Sequence, residues 1–401
     1  MIAIAPDIYW TGYIDWNLRN FHGYQTPGGS TYNAYLVRDE QPALIDTVKH
    51  YGWEEMRAAL EEVVDLSAIR YLVSQHAEMD HSGSIFRLWE RCPRAELVCS
   101  PQGKQALEKQ FFTRGGDPGR VRWKVVNSGD ELSLGKYSLR FVHTPMVHWP
   151  DSMVSFLPEQ GILFSNDAFG QHYASTERFA DEAGTETALR EAEKYYANIV
   201  LPYGRQVEKV LSGIGDLSLK MICPSHGLIW RRPEDIARIL SLYGEWARYE
   251  SWPRAVVIYD TMWGSTEKMA QKLYSGFVRA GLSTRLINLQ VSDNSSVITE
   301  VMRARLVAVG SPMLNNHVLP AVAGLLTYMR GLKPKNRRGF TFGSYGWAPG
   351  GFREMEDWLR DAGIAPGHEP VYAQYVPGRE IDARLEEAAS SLAGQIPKKE
   401  A

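Results

Sequence analysis

The sequence predicts an α/β protein in two parts: a sandwich of sheets covered by helices, then a doubly wound parallel sheet. Three observations lead there. Residues 1 to about 250 alternate strand-like and helix-like stretches, with hairpin signals embedded between Glu131 and Asp167. A helical stretch ends at Glu250-Ser251-Trp252-Pro253-Arg254, a short candidate linker with proline where a helix stop favours it. From Ala255 onward short apolar runs alternate strictly with helical patterns, as in parallel βα units.

In the first part, Ile8–Tyr13, Tyr32–Val37, Ala43–Ile45, Ile69–Ser74 and Leu97–Ser100 read as strands. Trp53–Val64, Ser84–Arg91, Gln102–Phe112 and Thr187–Ile199 read as helices. Leu134–Tyr137 and Pro158–Gly161 mark hairpin turns, and Pro233–Tyr249 is a helix with Ile236, Ile239, Leu240 and Tyr243 on one face. In the second part, strands are expected at Ala255–Tyr259, Thr284–Leu289, Leu306–Val309, Gly339–Phe342 and Val371–Tyr375. The expected domains are 1–250 and 254–401, each long enough to bury its own core.

Composition excludes several classes. The 401 residues carry a net charge of -3, with 44% hydrophobic and 23% charged residues. No clustered basic face suggests nucleic acid, and the run Lys333–Arg338 reads as a solvated loop. No apolar run approaches the ~18 residues of a membrane span, and MIAIAPDIYW lacks the parts of a secretory signal, so a cytoplasmic location is expected. Three scattered cysteines, Cys92, Cys99 and Cys223, argue against a disulfide framework; without a C-x-x-C pair there is no rubredoxin-type iron site within the chain. Cys223 reads as a buried thiol at a strand end.

The densest chemical signal is His76-Ala-Glu78-Met-Asp80-His81, directly after the apolar Tyr71-Leu-Val-Ser. Four potential ligands within six residues at the end of a buried strand would be costly to bury without a metal. His148, Asp167 and His226 each follow or close an apolar run, and together with the first motif they suggest a binuclear site. His143, five positions before His148, would face away on an unbroken strand and reads as structural. His22 and His172 are candidates for supporting donors or proton sources, and His50, His317 and His368 for surface or loop positions.

The motif resembles the H-x-H-x-D-H of the metallo-β-lactamase superfamily, with Glu78 in place of the second histidine. That departure is characteristic of the flavodiiron proteins, and DWNLRNFHGY, TYNAYLV, HWPDSM, NDAFGQH and CPSHG are similar to that family as well. The resemblance implies a metallo-β-lactamase-like αββα sandwich followed by a flavodoxin-like domain. It also implies that His76, Glu78 and His148 hold one iron, that Asp80, His81 and His226 surround a second, and that Asp167 bridges them. His81 is the least secure of these ligands. A carboxylate in place of an imidazole hardens the site and favours iron over zinc.

In the second part, Thr261-Met262-Trp263-Gly264-Ser265-Thr266 lies between a strand and a helix. Hydroxyls, backbone N–H groups and a helix N-terminus there would bind phosphate without a cationic side chain. The loop resembles the phosphate loop of flavodoxins, with Trp263 where they usually carry Thr. Ser311-Pro312-Met313-Leu314-Asn315-Asn316 and Ser344-Tyr345-Gly346-Trp347, with Gly350, follow later strands and would converge with it at the carboxyl ends of the sheet. FMN is the expected cofactor, with Trp347 stacking on its ring.

The resemblance implies an oxidoreductase passing electrons from FMN to a diiron centre that reduces dioxygen to water, nitric oxide to nitrous oxide, or both, with oxygen preferred. It also implies an external donor such as rubredoxin and a head-to-tail homodimer or a dimer of such dimers. Two other classes stay open: a zinc hydrolase fused to a flavodoxin, and an FMN electron carrier with a structural metal.

Overall fold

A computed structural model describes residues 1–397 of the chain. It divides into two compact units. One comprises Met1–Phe21, Thr26–Tyr195 and Arg205–Gly244; the other comprises His22–Gln25, Tyr196–Gly204 and Glu245 onward.

The first unit is a sandwich of a seven-stranded and a five-stranded sheet. Its strands alternate strictly between two apolar layers. Tyr35, Val37, Ala43, Ile45, Tyr71, Val73 and Val98 face inward, where they meet Leu139, Phe141, Met153, Leu157, Ile162 and Phe164 of the second sheet. The residues between them, Leu36, Leu44, Leu72, Leu97 and Cys99, point outward and are covered by Met56, Leu60, Leu88 and Leu107. This two-residue period on both faces explains why these strands read as continuous apolar runs. The helix Pro101–Phe112 starts where it does because the Ser100 hydroxyl accepts from Gly103 N at 3.0 Å and Pro101 occupies the first turn. The order of the seven-stranded sheet places the strands Ala43–Ile45, Tyr71–Val73 and Glu96–Cys99 side by side in parallel, so their carboxyl ends open on one rim.

The second unit is a doubly wound sheet. Its strands, in spatial order, are Ser283–Asn288, Trp252–Tyr259, Ala304–Leu314, Arg337–Tyr345 and then Ile364–Pro366, all parallel. Val371–Gln374 also pairs with Arg337–Tyr345, further along it, so two short strands share that edge. The strand order reverses beside Trp252–Tyr259, which creates a crevice at its carboxyl end. Among the described residues no helix is long and apolar enough to cross a membrane.

Several expectations need correction. The strand Ser138–His143 stops at His143, so His148 does not continue it and the argument from opposite faces fails; His143 is half-buried because its Nε2 donates to the Val126 carbonyl at 3.0 Å. The regular helix expected over Thr187–Ile199 ends at Tyr195 and continues as a π-helical turn over Tyr196–Val200. The candidate linker is partly strand, since Trp252–Tyr259 already includes Pro253; a register irregularity between Trp252 and Ala255 accommodates the missing N–H. The run Lys333–Arg338 is not wholly solvated. Arg337 is buried, donating to the carbonyls of Val301, Met302, Tyr249 and Lys335, so it satisfies the end of the helix Asn294–Arg303.

Leu36 is fully buried in the outer apolar layer, and its loss leaves a cavity that strands on either side cannot close. Leu36→Ala is expected to destabilise the first unit by about 2–5 kcal/mol, read as a lower urea midpoint for its transition.

Candidate metal centre and flavin cavity

Four loops at the strand ends of the first unit bring the predicted ligands together. The strand Tyr71–Val73 delivers His76 and Glu78, and a short helix, Met79–Ser82, follows at once and turns Asp80 and His81 inward. His148 comes from the segment between the strands Ser138–His143 and Met153–Leu157. Asp167 and His226 follow the strands Ile162–Asn166 and Met221–Pro224, which are parallel neighbours. All but His148, which is half-buried, are almost entirely removed from solvent.

The side chains form two trios, His76, Glu78 and His148, and Asp80, His81 and His226, with the ligand atoms of each trio within 4.8 Å of one another. Glu78 Oε2 lies 3.3 Å from His76 Nε2 and 3.4 Å from His148 Nε2. Asp80 lies 3.2 Å from His226 Nε2 and 3.4 Å from His81 Nε2. Asp167 stands between the trios. Its Oδ2 faces His148 Nε2 at 3.4 Å and His76 Nε2 at 3.8 Å, while its Oδ1 faces His81 Nε2 at 3.2 Å and His226 Nε2 at 3.3 Å.

These residues fit a pair of cations. His226 donates its Nδ1–H to the Thr31 carbonyl at 2.7 Å, and His76 directs Nδ1 at the Asp151 carboxylate at 3.1 Å, so each keeps Nε2 for the centre. Both oxygens of Asp80, Oδ2 of Asp167 and both nitrogens of His81 are buried without a hydrogen-bond partner. Such groups are expensive to bury unless a metal takes them. Burial pushes the imidazoles down, but the neighbouring carboxylates outweigh it, raising His148 to about 9, His226 to about 10 and His76 well above the usual range. Burial raises Asp167, yet the surrounding imidazoles hold it well below an ordinary carboxylate.

Residues that the sequence reading did not assign support the cluster. Asp151 also accepts from Ala77 N at 2.7 Å. Asp46, at the end of the strand Ala43–Ile45, accepts from Gln75 N at 2.8 Å, Gln75 Nε2 at 3.2 Å, Ser225 Oγ at 3.2 Å and Asn166 Nδ2 at 3.4 Å. Tyr195 donates to Asp167 Oδ1 at 3.1 Å. The signal for Asp151 was its place in His148-Trp-Pro-Asp151, and for Asp46 a carboxylate closing a fully apolar strand. His172 is buried, paired through Nδ1 with Ser30 Oγ at 2.7 Å and packed against His226, and burial holds its pKa far below the usual value. His22, His50 and His317 are exposed, and His368 is half-buried. Cys223 is a buried thiol in the strand Met221–Pro224, pushed well up by burial.

In the second unit a cavity of about 780 Å³ opens where the three predicted loops meet. Met262, Trp263, Ser265, Pro312, Met313, Leu314, Asn315, Asn316, Ser344, Tyr345, Gly346 and Trp347 line it, together with Ala348, Tyr375 and Val376, which the sequence reading did not assign. Thr261, Gly264, Thr266, Ser311 and Gly350 shape the loops instead. Thr261 Oγ1 accepts from Gly264 N at 3.0 Å, and Gly264 has φ of 81°, the left-handed turn that opens the helix Ser265–Arg279 toward the cavity. Thr266 and Ser344 hydroxyls meet at 2.9 Å and tie the first loop to the third. Ser311 Oγ accepts from Leu319 N at 3.0 Å, and a Cβ on Gly350 would come within 2.9 Å of Asn316. The second and third loops begin later than expected: the strands run to Leu314 and Tyr345, because Ser311 and Pro312 continue the pairing with Gly343 and Ser344. Among the described residues no Lys or Arg lines the cavity, while Ser265 at the start of its helix and the Ser344 and Tyr345 hydroxyl residues do. That suits a phosphate held by backbone and an aromatic ring held by Trp263 and Trp347.

Comparisons with known proteins agree with this architecture. The family model described as ODP family beta lactamase matches residues 31–227, and the Flavodoxin model matches 257–387. The chain is 42% identical over 400 residues to a nitric oxide reductase of Moorella thermoacetica, covering 98% of each chain. It is 39% identical over 401 residues to a rubredoxin-oxygen oxidoreductase of Megalodesulfovibrio gigas, covering 99% of this chain and 98% of that one. Among solved structures, rubredoxin oxygen:oxidoreductase from Desulfovibrio gigas superposes with a TM-score of 0.95 at 39% identity, over 98% of both chains. The flavodiiron protein from Giardia intestinalis gives 0.93 at 33% identity, over 98% of this chain and 95% of that one. A sandwich carrying two metal-ready trios, a doubly wound sheet with a flavin-sized cavity, and full-length likeness to these reductases together place the chain in the flavodiiron protein family.

Proposed function

We propose that this oxidoreductase passes electrons from FMN in the second unit to a diiron centre in the first, where dioxygen is reduced to water or nitric oxide to nitrous oxide. The observation that carries it is the pair of buried trios with Asp167 between them, since two such trios would hold a pair of cations suited to a diatomic substrate. His76, Glu78 and His148 would hold one iron, Asp80, His81 and His226 the other, and Asp167 both. Iron and FMN when bound supply redox equivalents and Lewis acidity: four electrons take dioxygen to two waters, and two take a pair of nitric oxide molecules to nitrous oxide and water.

The chain's own residues do the rest. Thr31 and Asp151 fix the tautomers and orientation of His226 and His76. The apolar walls of the sandwich keep bulk water from the centre, so that His148, the least buried of these ligands, marks the substrate side. Tyr195 holds Asp167 Oδ1 and can steady its charge as protons are consumed. Ser265 and the start of the helix Ser265–Arg279 bind the FMN phosphate, Thr266 holds that loop to Ser344, and Trp347 covers the ring. The functional domains are 1–250 and 254–401. Electrons come from an external carrier such as rubredoxin, oxygen is the preferred substrate, and the location is the cytoplasm.

Purified under iron-replete conditions, the protein is expected to carry about two irons and one FMN per chain. Glu78→Ala and Asp167→Ala should each abolish gas reduction and lower iron content while FMN stays bound, checked by metal analysis, flavin absorbance and anaerobic turnover with both gases. Normal turnover in either variant overturns the ligand assignment, and two zincs without flavin revive a hydrolase.

Trp347 is 88% exposed at the cavity mouth. Trp347→Ala should weaken FMN binding or shift its potential with iron content unchanged. Flavin titration and redox potentiometry would read this, and an unchanged pair of values removes Trp347 from the site.

The working unit is a head-to-tail dimer in which the flavin of one chain serves the metal centre of the other. Trp263, 92% exposed, and Trp347 leave an apolar rim at the cavity that asks for cover, and two-fold pairing is the commonest symmetric way to provide it. A chain carrying Glu78→Ala and Asp167→Ala, paired with one disabled at Ser265, Thr266 and Trp347, should regain activity that neither parent has. Verified heterodimers that stay inactive with both intact cofactors bound would show that electrons do not cross between chains.

A further inference from the structure

Beside the metal centre lies a cluster of phenols that the reaction above does not use. Tyr32 is fully buried, and its ring meets the His226 ring edge-on with centroids 5.8 Å apart. Its hydroxyl lies 3.3 Å from Asp15 Oδ2 and 3.2 Å from the hydroxyl of Tyr51. Tyr51 donates to the same Asp15 oxygen at 2.6 Å. The Tyr32 and Tyr51 rings are 6.3 Å apart, and Tyr13 packs against both, stacked on Tyr32 at 6.4 Å and edge-on to Tyr51 at 5.8 Å. Asp15 is buried, whereas Tyr51 is 46% exposed. An unbroken series of ring contacts therefore runs from a proposed iron ligand to the surface, with one carboxylate beside both phenolic hydroxyls.

Such a series has a chemical use at a site that handles dioxygen. Complete reduction needs four electrons, and the metal pair alone holds two; when the flavin cannot deliver in time, an oxidising equivalent stays among buried histidines. A phenol can be oxidised at low cost only if its proton has somewhere to go, and a hydrogen-bonded carboxylate is a suitable acceptor. Bulk packing does not require this arrangement. Phenylalanine would fill the same core at Tyr32 without placing a hydroxyl on Asp15, and a buried carboxylate is costly without donors.

We propose that Tyr32, Asp15 and Tyr51 form an escape route that carries an oxidising equivalent from the metal centre to the protein surface. Tyr32 gives one electron to the centre through His226 and its phenolic proton to Asp15, becoming a neutral radical. Tyr51 then restores Tyr32 by transferring one electron and one proton, the proton passing directly or through Asp15. The radical now on Tyr51 is quenched by one electron from an external reductant such as a thiol, and the proton kept on Asp15 returns to the Tyr51 oxygen. The balance is one electron moved from the external reductant to the centre, with no net proton.

This inference rests on the diiron oxygen-reducing function proposed above, and one experiment distinguishes the two. Iron-loaded, FMN-bound protein is given two electrons per chain, mixed with dioxygen and frozen at millisecond times. Electron paramagnetic resonance and Mössbauer spectra are then recorded on the same samples. Failure of the iron to oxidise removes the functional reading and this one with it. Where iron does oxidise, the native protein is expected to show a tyrosyl radical signal. Tyr32→Phe should lose it with iron content unchanged, Asp15→Asn should lower its yield, and Tyr51→Phe should leave a longer-lived radical on Tyr32. Tyr195→Phe serves as the control, because Tyr195 also lies near the centre with its hydroxyl on Asp167. Full iron oxidation without a tyrosyl radical in the native protein overturns the proposal. So does a signal that survives Tyr32→Phe or vanishes only in Tyr195→Phe.

Discussion

The Asp46 carboxylate is where the loops that carry the proposed metal ligands are tied together. It accepts from Gln75, Asn166 and Ser225, and each of these residues immediately precedes a proposed ligand: His76, Asp167 and His226. Its own backbone N–H donates to the Val73 carbonyl, anchoring it to the strand that leads into the first motif. One buried anion thereby sets the spacing of loops that leave three strands on two different sheets. Burial raises its pKa, and the His81 charge and these donors work against that rise. The residue sits at φ of 55°, a left-handed conformation that aspartate tolerates better than most side chains. Without that tie, ligand positions would be set by three independent loops, whereas metal coordination tolerates errors of only about 0.2 Å.

The ligand set that these loops carry is balanced in charge as well as in position. Glu78, Asp80 and Asp167 bring three negative charges into a site almost closed to water, and the histidines bring none when their Nε2 lone pairs face the centre. Two divalent cations compensate that charge to within one unit, with the excess positive. An additional imidazole in place of Glu78 would leave the pair more positive and softer, so the glutamate both balances the charge and favours a hard, redox-active metal. The same reasoning explains the asymmetry between ligands and supports: His76 leans on an anionic partner, Asp151, whereas His226 leans on a neutral carbonyl of Thr31. An imidazole backed by a carboxylate is the more strongly donating of the two.

Much of this was legible in the sequence, and the gaps have physical causes. The cluster His76-Ala-Glu78-Met-Asp80-His81 stood out because several potential ligands fall within one short segment, and His148, Asp167 and His226 stood out because each follows or closes an apolar run. Asp46, Asp151 and Tyr195 stayed hidden because each is a single polar residue whose partner is distant in sequence; only the tertiary fold brings Asp46 to Ser225. Arg337 was misjudged for a related reason. Its neighbours in Lys333–Arg338 are largely solvent-facing, and nothing local reveals that one guanidinium reaches the carbonyls ending the helix Asn294–Arg303. The three loops that meet at the cavity were anticipated, but their starts were set too early. Pro312 suggests a turn, whereas here it lies beyond the last pairing with Trp252–Tyr259, on a side where no N–H is needed.

The two sites differ in how completely the chain finishes them, and the difference follows from what each must bind. The proposed metal ligands are held on buried loops by hydrogen bonds that leave little freedom, since a shift of one side chain would misplace a cation. The flavin cavity is finished on one side only. Its floor is fixed by the Thr266–Ser344 contact and by Asn316 packed on Gly350, while Trp263, Trp347, Tyr375 and Val376 remain largely exposed around its mouth. Large aromatic side chains left in water gain nothing from folding, and their apolar area becomes stabilising only when a ring or another surface covers it. A planar, electron-carrying cofactor has to be held firmly at its phosphate and yet approached closely at its ring by whatever donates or accepts electrons. A rigid polar floor beneath an uncovered aromatic rim meets both requirements, so the exposure of these tryptophans belongs to the chemistry of the site.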